Sequence, residues 1–115
     1  MKSRFSRYND GMLYVCEQRQ QETDFAAVKN ARTMNDLKRV LKLAYEERSK
    51  REEDLQFAES IGRSLSLKVK TRLNEKVDST KKIIAGDKLY SIINIDHDKN
   101  NREMYLYLEE ERTIK

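Results

Sequence analysis

The sequence is poor in the residues from which most catalytic and metal sites are built. Its 115 residues include one cysteine, three glycines and one histidine, and tryptophan and proline are absent. The single cysteine, Cys16, excludes an internal disulfide and a zinc site made of several cysteines. The glycines, at positions 11, 62 and 86, do not form a glycine-rich phosphate loop. Any histidine-based nucleophile or metal cluster would have to be built around His97.

Long apolar stretches are absent as well. No run approaches the roughly 20 apolar residues that a membrane-spanning helix needs. The N-terminal stretch "MKSRFSRYNDG" lacks the apolar middle of a secretion signal, which predicts synthesis in the cytoplasm. Without proline the usual rigid linkers are missing, and 115 residues suffice for one domain with a modest core. We therefore expect a single domain over residues 1–115.

Charge, in contrast, is abundant and mixed. The chain has 24 Lys and Arg against 20 Asp and Glu, a formal net charge of +4, and the two signs interleave, as in "KLAYEERSKREED". Such mixing indicates a solvated surface, or one that meets a charged neighbour, rather than a polyanion-binding stripe. The paired carboxylates at residues 46–47, 52–53 and 109–111 lie in these charge-dense segments. Acid–base catalysis is not expected there.

Alternation of apolar and polar residues predicts strands in the second half. In "SLSLKVKTRL" the apolar set Leu65, Leu67, Val69, Thr71 and Leu73 alternates with a solvated set, Ser66, Lys68, Lys70 and Arg72. The stretch "KKIIAGDKLYSIINID" reads as two strands around an Ala85-Gly86-Asp87 turn. In "EMYLYLEEE", Met104, Leu106 and Leu108 share one face, and Tyr105 and Tyr107 share the other. Short turns between such strands predict an antiparallel meander over about residues 64–110.

One helix is predicted over about residues 50–61, within "SKREEDLQFAESIG". Ser49 and Glu52 have the capping-box spacing, and the acidic residues that follow suit the positive end of the helix dipole. Leu55, Ala58 and Ile61 give a narrow apolar stripe, and Gly62 is placed to end the helix.

The first half carries weaker patterns. "GMLYVCEQRQ" predicts a strand after the turn-prone "NDG", with Cys16 as a small apolar side chain. "TDFAAVKNARTMNDLKR" fits neither period. "RVLKLAYEE" could be a helix through Val40, Leu41 and Ala44, or a strand through Leu41, Leu43 and Tyr45. We predict the strand, because a helix there would run into the capped start at Ser49.

The stretch "NIDHDKNNREMYLYLEEE" resembles a calcium loop at its start, with Asp96, Asp98 and Asn100 at alternate positions. An EF-hand loop counted from Asp96 would need a glutamate where Tyr107 stands, and helices on both sides. The flanking residues are strand-like, and Asp and Asn are common hairpin residues. We therefore predict a turn, with Asn101 able to take a left-handed conformation and His97 solvated. Nothing in the spacing brings Cys16 and His97 together as a nucleophile and base.

Basic clusters raise the question of nucleic acid. Lys68, Lys70 and Arg72 share the polar face of one strand, and other cations bracket the helix at Arg48, Lys50, Arg51 and Arg63. Such groups could contact phosphates. Acidic residues stand beside nearly all of them, and "EEDLQFAES" in the helix argues against specific reading of DNA.

The order of these elements resembles that of the head–tail joining (head-closure, or stopper) proteins of long-tailed bacteriophages. A strand, "RVLKLAYEERS", precedes a short helix with a charged start, and the strand "LSLKVKTRL", a hairpin and the strand "REMYLYLEE" follow. Within the hairpin, the family's pattern of a glycine, a tyrosine, isoleucines and a final aspartate is met by Gly86, Tyr90, Ile92, Ile95 and Asp96. The resemblance covers about residues 38–112. The family's tryptophan-containing strand segments have no counterpart here.

The resemblance implies a mainly β (α+β) fold, a small antiparallel β-barrel or sandwich with one short inserted helix. It also implies a structural protein of the virion neck, without enzymatic activity or cofactor. Such a protein forms a ring, a dodecamer or hexamer, between the portal or adaptor ring and a tail completion or tail tube protein. The ring continues and closes the DNA channel, and DNA is a non-specific cargo. Synthesis in the bacterial cytoplasm would precede assembly into the virion.

Two residue sets follow from this interpretation. The candidates for the channel side are Arg48, Lys50, Arg51 and Arg63. The candidates for contacts with other subunits or partners are Glu52, Glu53, Asp54, Tyr105, Tyr107, Glu109, Glu110 and Arg112. The alternative is a stand-alone small β-barrel that contacts nucleic acid or another protein. Such barrels place aromatic side chains beside basic ones on a solvated face, as Tyr105 and Tyr107 would be.

Overall fold

The computed structural model describes residues 8–18 and 37–114, which form strands and one short helix. In chain order these are β1 (Gly11–Gln18), β2 (Leu37–Arg48), α1 (Glu52–Ser60), β3 (Leu67–Arg72), β4 (Lys82–Ala85), β5 (Lys88–Asp98) and β6 (Glu103–Thr113). The predicted strands at β1 and β2 are both confirmed. The ambiguous segment "TDFAAVKNARTMNDLKR" lies outside the described residues up to position 36. Within the described ranges, no helix has the length and apolarity to cross a membrane.

The six strands close into an antiparallel barrel in the order β1-β2-β3-β6-β5-β4. This confirms the predicted mainly β class with one inserted helix. The predicted meander is correct for β4, β5 and β6 but wrong for β3, which pairs with β2 and β6 instead of β4. β4 pairs with β1, so the link at residues 73–81 connects two three-stranded meanders. Alternation assigns each residue to a face, but it does not identify the neighbouring strand.

Apolar side chains fill the barrel. Leu13, Val15, Val69, Ile83, Met104, Leu106 and Leu108 are fully buried in the main core cluster. Leu41, Leu43 and Tyr45 pack against it from β2, as the strand interpretation predicts. Cys16 is fully buried in a second cluster with Leu37, Ile84, Leu89 and Ile114, which lies on the outer side of the sheet, because Ile84 and Leu89 alternate with interior residues along their strands. The face assignments in "EMYLYLEEE" are therefore confirmed.

Two hairpin turns have backbone geometries that explain their residues. Gly86 takes φ 64°, a positive value that the first position of a primed two-residue hairpin turn requires. Between β5 and β6 the predicted turn is confirmed, but it occupies residues 99–102. Asp98 accepts hydrogen bonds from the Asn101 backbone and side chain, at 3.3 and 2.8 Å. Arg102, not Asn101, has the positive φ, 57°. His97 is exposed as predicted, but it belongs to strand β5.

The predicted capping box of α1 was wrong by two residues. Arg51 is the N-cap, and its backbone N–H donates to the Asp54 carboxylate at 2.9 Å. The predicted apolar stripe is confirmed at Ala58, which is buried, but Leu55 and Ile61 are 41% and 49% exposed. Asp54 is the other buried residue of the helix. The predicted stop is confirmed, because Gly62 takes φ 73° and the Arg63 N–H donates to the Ala58 carbonyl at 2.8 Å.

Candidate functional site

A half-open cleft of about 390 Å³ lies where the start of α1 meets the outer face of the barrel. Its lining residues are Arg48, Ser49, Arg51, Lys68, Asp96, Tyr105 and Tyr107. The strand register explains this grouping, since Lys68 pairs with Tyr107 and Asp96 pairs with Tyr105. Val69 and Leu106 point into the barrel, so their neighbours along each strand point outward. The cleft is thus both basic and aromatic.

The floor of the cleft contains an ion network centred on Asp54. Lys68 Nζ lies 2.9 Å from Asp54 Oδ2, and Arg51 Nη2 lies 3.1 Å from Oδ1. Burial alone would raise the pKa of Asp54. The hydrogen bonds from the Arg51 and Lys68 side chains and from the Arg51 backbone outweigh it and lower the pKa to about 2. The carboxylate is therefore ionised, and it fixes the helix start to β3.

Lys68 does not lie on a solvated face, contrary to the sequence prediction. It is buried because α1 covers the outer surface of β3 and β6, where Ala58 packs with Leu65 and Tyr107. The Lys68 ammonium also lies 5.7 Å from the ring centre of Tyr105 and 5.2 Å from that of Tyr107. These are cation–π distances. Burial raises the pKa of the Tyr107 phenol above its ordinary value.

The second lysine of β3 is also occupied. Lys70 Nζ lies 3.1 Å from Glu46 and 3.7 Å from Glu103, and its side chain is 13% exposed. Burial acts to lower the pKa of Lys70, but the two carboxylates raise it overall. Arg72 is exposed. Of the three basic residues on β3 that were predicted to contact phosphates, Arg72 alone is exposed.

The predicted channel residues divide into two groups. Arg48 and Arg51 line the cleft, with side chains 46% and 57% exposed. Lys50 and Arg63 are not among its lining residues. All four make contacts within the chain, and Arg48 pairs with Glu46 at 3.3 Å and Arg51 with Asp54 at 3.1 Å. Lys50 donates to the Ser66 carbonyl at 3.2 Å, while Arg63 pairs with Glu109 and donates to Ser91 Oγ at 2.7 Å.

The predicted partner contacts divide in the same way. Glu52 and Glu53 are exposed on α1, but Asp54 is buried under the helix. Tyr105 and Tyr107 line the cleft. Glu109 is held by Arg63, whose hydrogen bond lowers the pKa of Glu109, and Glu110 lies 3.3 Å from Lys88. Arg112 is half-buried, with one terminal nitrogen that has no hydrogen-bond partner among the described residues.

Three residues that line the cleft were not predicted to form a site there. Ser49 and Asp96 are exposed, and Lys68 is buried in the wall of the cleft. Strict alternation from the core residues Tyr90 and Ile92 would place Asp96 inward, but a register irregularity between Ile92 and Asn94 shifts the pattern, so that Ile95 faces the core and Asp96 faces outward. The sequence carried no signal for this shift, and none for the Asp54–Lys68 pair, which depends on how the helix folds back over the sheet. In the described ranges, no group of three or more His, Cys, Asp or Glu side chains is arranged to hold a metal ion.

The outer face of β1 and β2 is a second surface with unusual composition. Met12 is 43% exposed there, next to Tyr14 on the same strand. The Arg39 guanidinium lies 4.1 Å from the centre of the Tyr14 ring, and Lys42 Nζ lies 5.8 Å from it. We call these residues, Met12, Tyr14, Arg39 and Lys42, the basic face. The sequence prediction did not identify it.

Comparison with known proteins does not assign the chain to a family. No protein-family model matches the chain, and no curated protein matches it.

Proposed function

We propose that the protein is a structural component of the neck of a long-tailed bacteriophage. In this role it forms a ring between the portal or adaptor and the tail. The observation that carries the proposal is the closed barrel with one helix inserted between β2 and β3, which is the architecture that the resemblance implies.

The hairpin residues that carry the resemblance have structural roles in this barrel. Gly86 has the positive φ of its turn, and Tyr90 and Ile92 are buried. Ile95 packs against the core, and Asp96 borders the cleft. A pattern made of turn and packing residues fits a scaffold protein, whose outer contacts carry the function.

The distribution of charge and packing also supports this role. The barrel interior is filled with apolar side chains, and the described strands are hydrogen-bonded on both sides through barrel closure, which prevents uncontrolled strand pairing before assembly. Ion pairs are spread over the outer surface. A ring subunit needs two different surfaces that meet head to tail, and such charges favour the correct register.

Within this proposal, the ring continues the DNA channel and docks the tail. DNA passes as cargo and is contacted without sequence preference. Arg48 and Arg51 are the better candidates for facing it, because both line the cleft with side chains that are 46% and 57% exposed. The portal or adaptor and a tail completion or tube protein would bind on the two sides of the ring, and no cofactor is involved.

Deletion of the coding gene from the phage genome that carries it tests the proposal. We expect DNA-filled heads without attached tails, together with heads that have lost their DNA, in electron micrographs of the lysate. Complementation with the wild-type gene, or with a His97→Gln variant as a matched control, should restore tailed particles. Normal yields of tailed, infectious particles after deletion would contradict the proposal.

A second candidate function is binding of single-stranded nucleic acid in the cleft. The observation in its favour is that Tyr105 lies beside Arg48 and Arg51 in the cleft, as in stacking sites of small barrels. Tyr107 also lines the cleft, but it is only 8% exposed. Asp96 and the buried carboxylate of Asp54 weaken the field that phosphates would meet.

Fluorescence anisotropy of a labelled oligonucleotide separates the two functions. The neck proposal predicts no binding at micromolar protein concentrations. Binding that falls steeply with added salt, and that is lost in an Arg48→Gln/Arg51→Gln variant but kept in an Arg72→Gln control, would favour the second function.

A further inference from the structure

The cleft has two ends with different chemistry. Arg48 lies on β2, and Asp96 lies on β5, beyond β3 and β6 in the closed order. Three strand spacings, roughly 14 Å along the sheet, therefore separate the two ends. Asp96 pairs across the sheet with Tyr105, so the two side chains share one end and one face. We call Asp96, Tyr105 and Tyr107 the acidic end of the cleft.

The charges that line the cleft are neutralised within the chain except at this end. The three cations of the lining share one property, an ion pair of 3.3 Å or less: Arg48 with Glu46, and Arg51 and Lys68 with Asp54. The exposed Asp96 carboxylate makes no hydrogen bond or ion pair to any described residue. The acidic end therefore has one negative charge left to meet a cation from outside the chain.

The tyrosines at this end also have unused groups. Tyr107 is 8% exposed, yet its hydroxyl has no hydrogen-bond partner among residues 8–18 and 37–114. The half-buried Tyr105 has an equally free hydroxyl within these ranges. A buried phenol usually has a hydrogen-bond partner. Lys68 approaches both rings from β3, on one side of β6, whereas Asp96 lies on the other side, on β5.

We propose that the acidic end of the cleft binds a guanidinium group. The planar guanidinium matches both oxygens of a carboxylate and stacks on aromatic faces. A guanidinium paired with Asp96 can reach the Tyr105 ring, because the two residues are cross-strand neighbours. Its remaining N–H groups are then available to the Tyr107 hydroxyl. An ammonium group has no plane to stack and fits the site less well.

Two sources supply a guanidinium, an arginine side chain of another protein and a free small guanidine. The site itself rests on the geometry of the cleft and goes beyond the proposed function. An arginine from a neighbouring component of the neck is the source that rests on that function.

Peptide titrations followed in two-dimensional amide NMR spectra of the isotope-labelled protein test the site. The peptide acetyl-Gly-Arg-Gly-amide should move the signals of Asp96, Tyr105 and Tyr107 and saturate at millimolar concentration. The same peptide with citrulline, which has the shape of arginine without its charge, should move none of them. A lysine peptide should bind more weakly. Methylguanidine distinguishes the sources: equal affinity assigns the site to small guanidines, and weaker binding than the peptide assigns it to arginine in a protein.

Variants make the test specific to the acidic end. Asp96→Asn should weaken binding of the arginine peptide about fivefold or more. Tyr105→Leu should weaken it about twofold or more through loss of the ring. Asp87→Asn, at an exposed carboxylate in the β4–β5 turn, is the matched control and should leave the affinity unchanged. The amide spectrum of each variant also shows whether the fold is retained.

Two results would overturn the site: equal binding of the citrulline peptide, or equal affinity in Asp96→Asn and wild type. Because the titration uses the isolated protein, its failure is distinct from failure of the neck role. Tail-less particles after gene deletion, without peptide binding, would leave the neck role standing. Specific peptide binding together with normal particles after deletion would establish the site and contradict the neck role.

Discussion

Asp54 and Lys68 form the most buried ion pair of the described residues, with side chains 6% and 7% exposed. Removing one partner of such a pair leaves a buried charge uncompensated, which costs about 3 kcal/mol or more. We expect Asp54→Asn to lower the free energy of unfolding, measured in urea, by about 3 kcal/mol.

Two comparison variants make this prediction specific. Asp54→Leu/Lys68→Met removes both charges and should recover much of the loss. Glu53→Gln, at a 73% exposed side chain that pairs with exposed Arg51, should change stability by less than about 0.5 kcal/mol. Equal effects of Asp54→Asn and Glu53→Gln would show that the buried pair is not a major contributor.

The Asp54 carboxylate also makes the free energy of unfolding depend on pH in the acidic range. The folded pKa of Asp54, about 2, is below the unfolded value of about 3.9. A lowered folded pKa contributes stability that is fully present above the unfolded pKa and is lost as the pH falls through the folded one. The unfolding free energy should therefore fall between about pH 4 and 2, and this part of the fall should be absent from Asp54→Asn.

Cys16 offers a prediction about reactivity. The thiol is fully buried, and burial raises its pKa although Arg39 acts in the opposite direction. Because the thiolate is the reactive form, a thiol reagent at pH 8 should not modify the folded protein within minutes. The same reagent should modify the chain at once in strong denaturant. Rapid modification of the folded chain would mean that β1 opens readily.

Helix α1 shows where local sequence rules fail at the scale of one element. Both Ser49–Glu52 and Arg51–Asp54 have the spacing of a capping interaction, and the latter forms because Lys68 on β3 holds the Asp54 carboxylate. The exposed Leu55 and Ile61 have the same origin. The buried side of the helix is centred on Asp54 and Ala58, so the neighbouring apolar residues lie on its flanks.

The end of the helix gives a testable prediction. Gly62 takes φ 73°, and an added Cβ would meet no atom within 4 Å. Gly62→Ala should therefore cost only the left-handed backbone conformation, about 1 kcal/mol in urea unfolding. Gly62→Asn should cost less, because asparagine tolerates this conformation. Ser60→Ala, in the last turn of the same helix, is the control, and a loss there as large as in Gly62→Ala would contradict the explanation.

For the whole molecule, the sequence predicted the strands better than their arrangement. Alternation identified β3, β6 and the β4–β5 hairpin, and turn chemistry placed Gly86. Barrel closure depends on β1–β4 and β3–β6 pairing, which joins residues far apart in the chain, and no local pattern encodes it. For the site, Arg48, Arg51, Tyr105 and Tyr107 were predicted as separate candidates, and the fold brings them to one cleft. The basic face was missed because it needs β1 and β2 side by side.

The link at residues 73–81 divides the barrel into two three-stranded halves, β1–β3 and β4–β6. The two halves are joined by the β1–β4 and β3–β6 pairings. Within each half, the paired strands follow one another along the chain, and only the two pairings between the halves join distant segments. Cleavage of the chain beside exposed Glu75 would therefore leave two fragments, each with three complete strands. Buried Val77 would remain in the second fragment. When the two fragments are co-expressed, they should assemble into one barrel, so that each fragment would serve as a specific binding partner for the other.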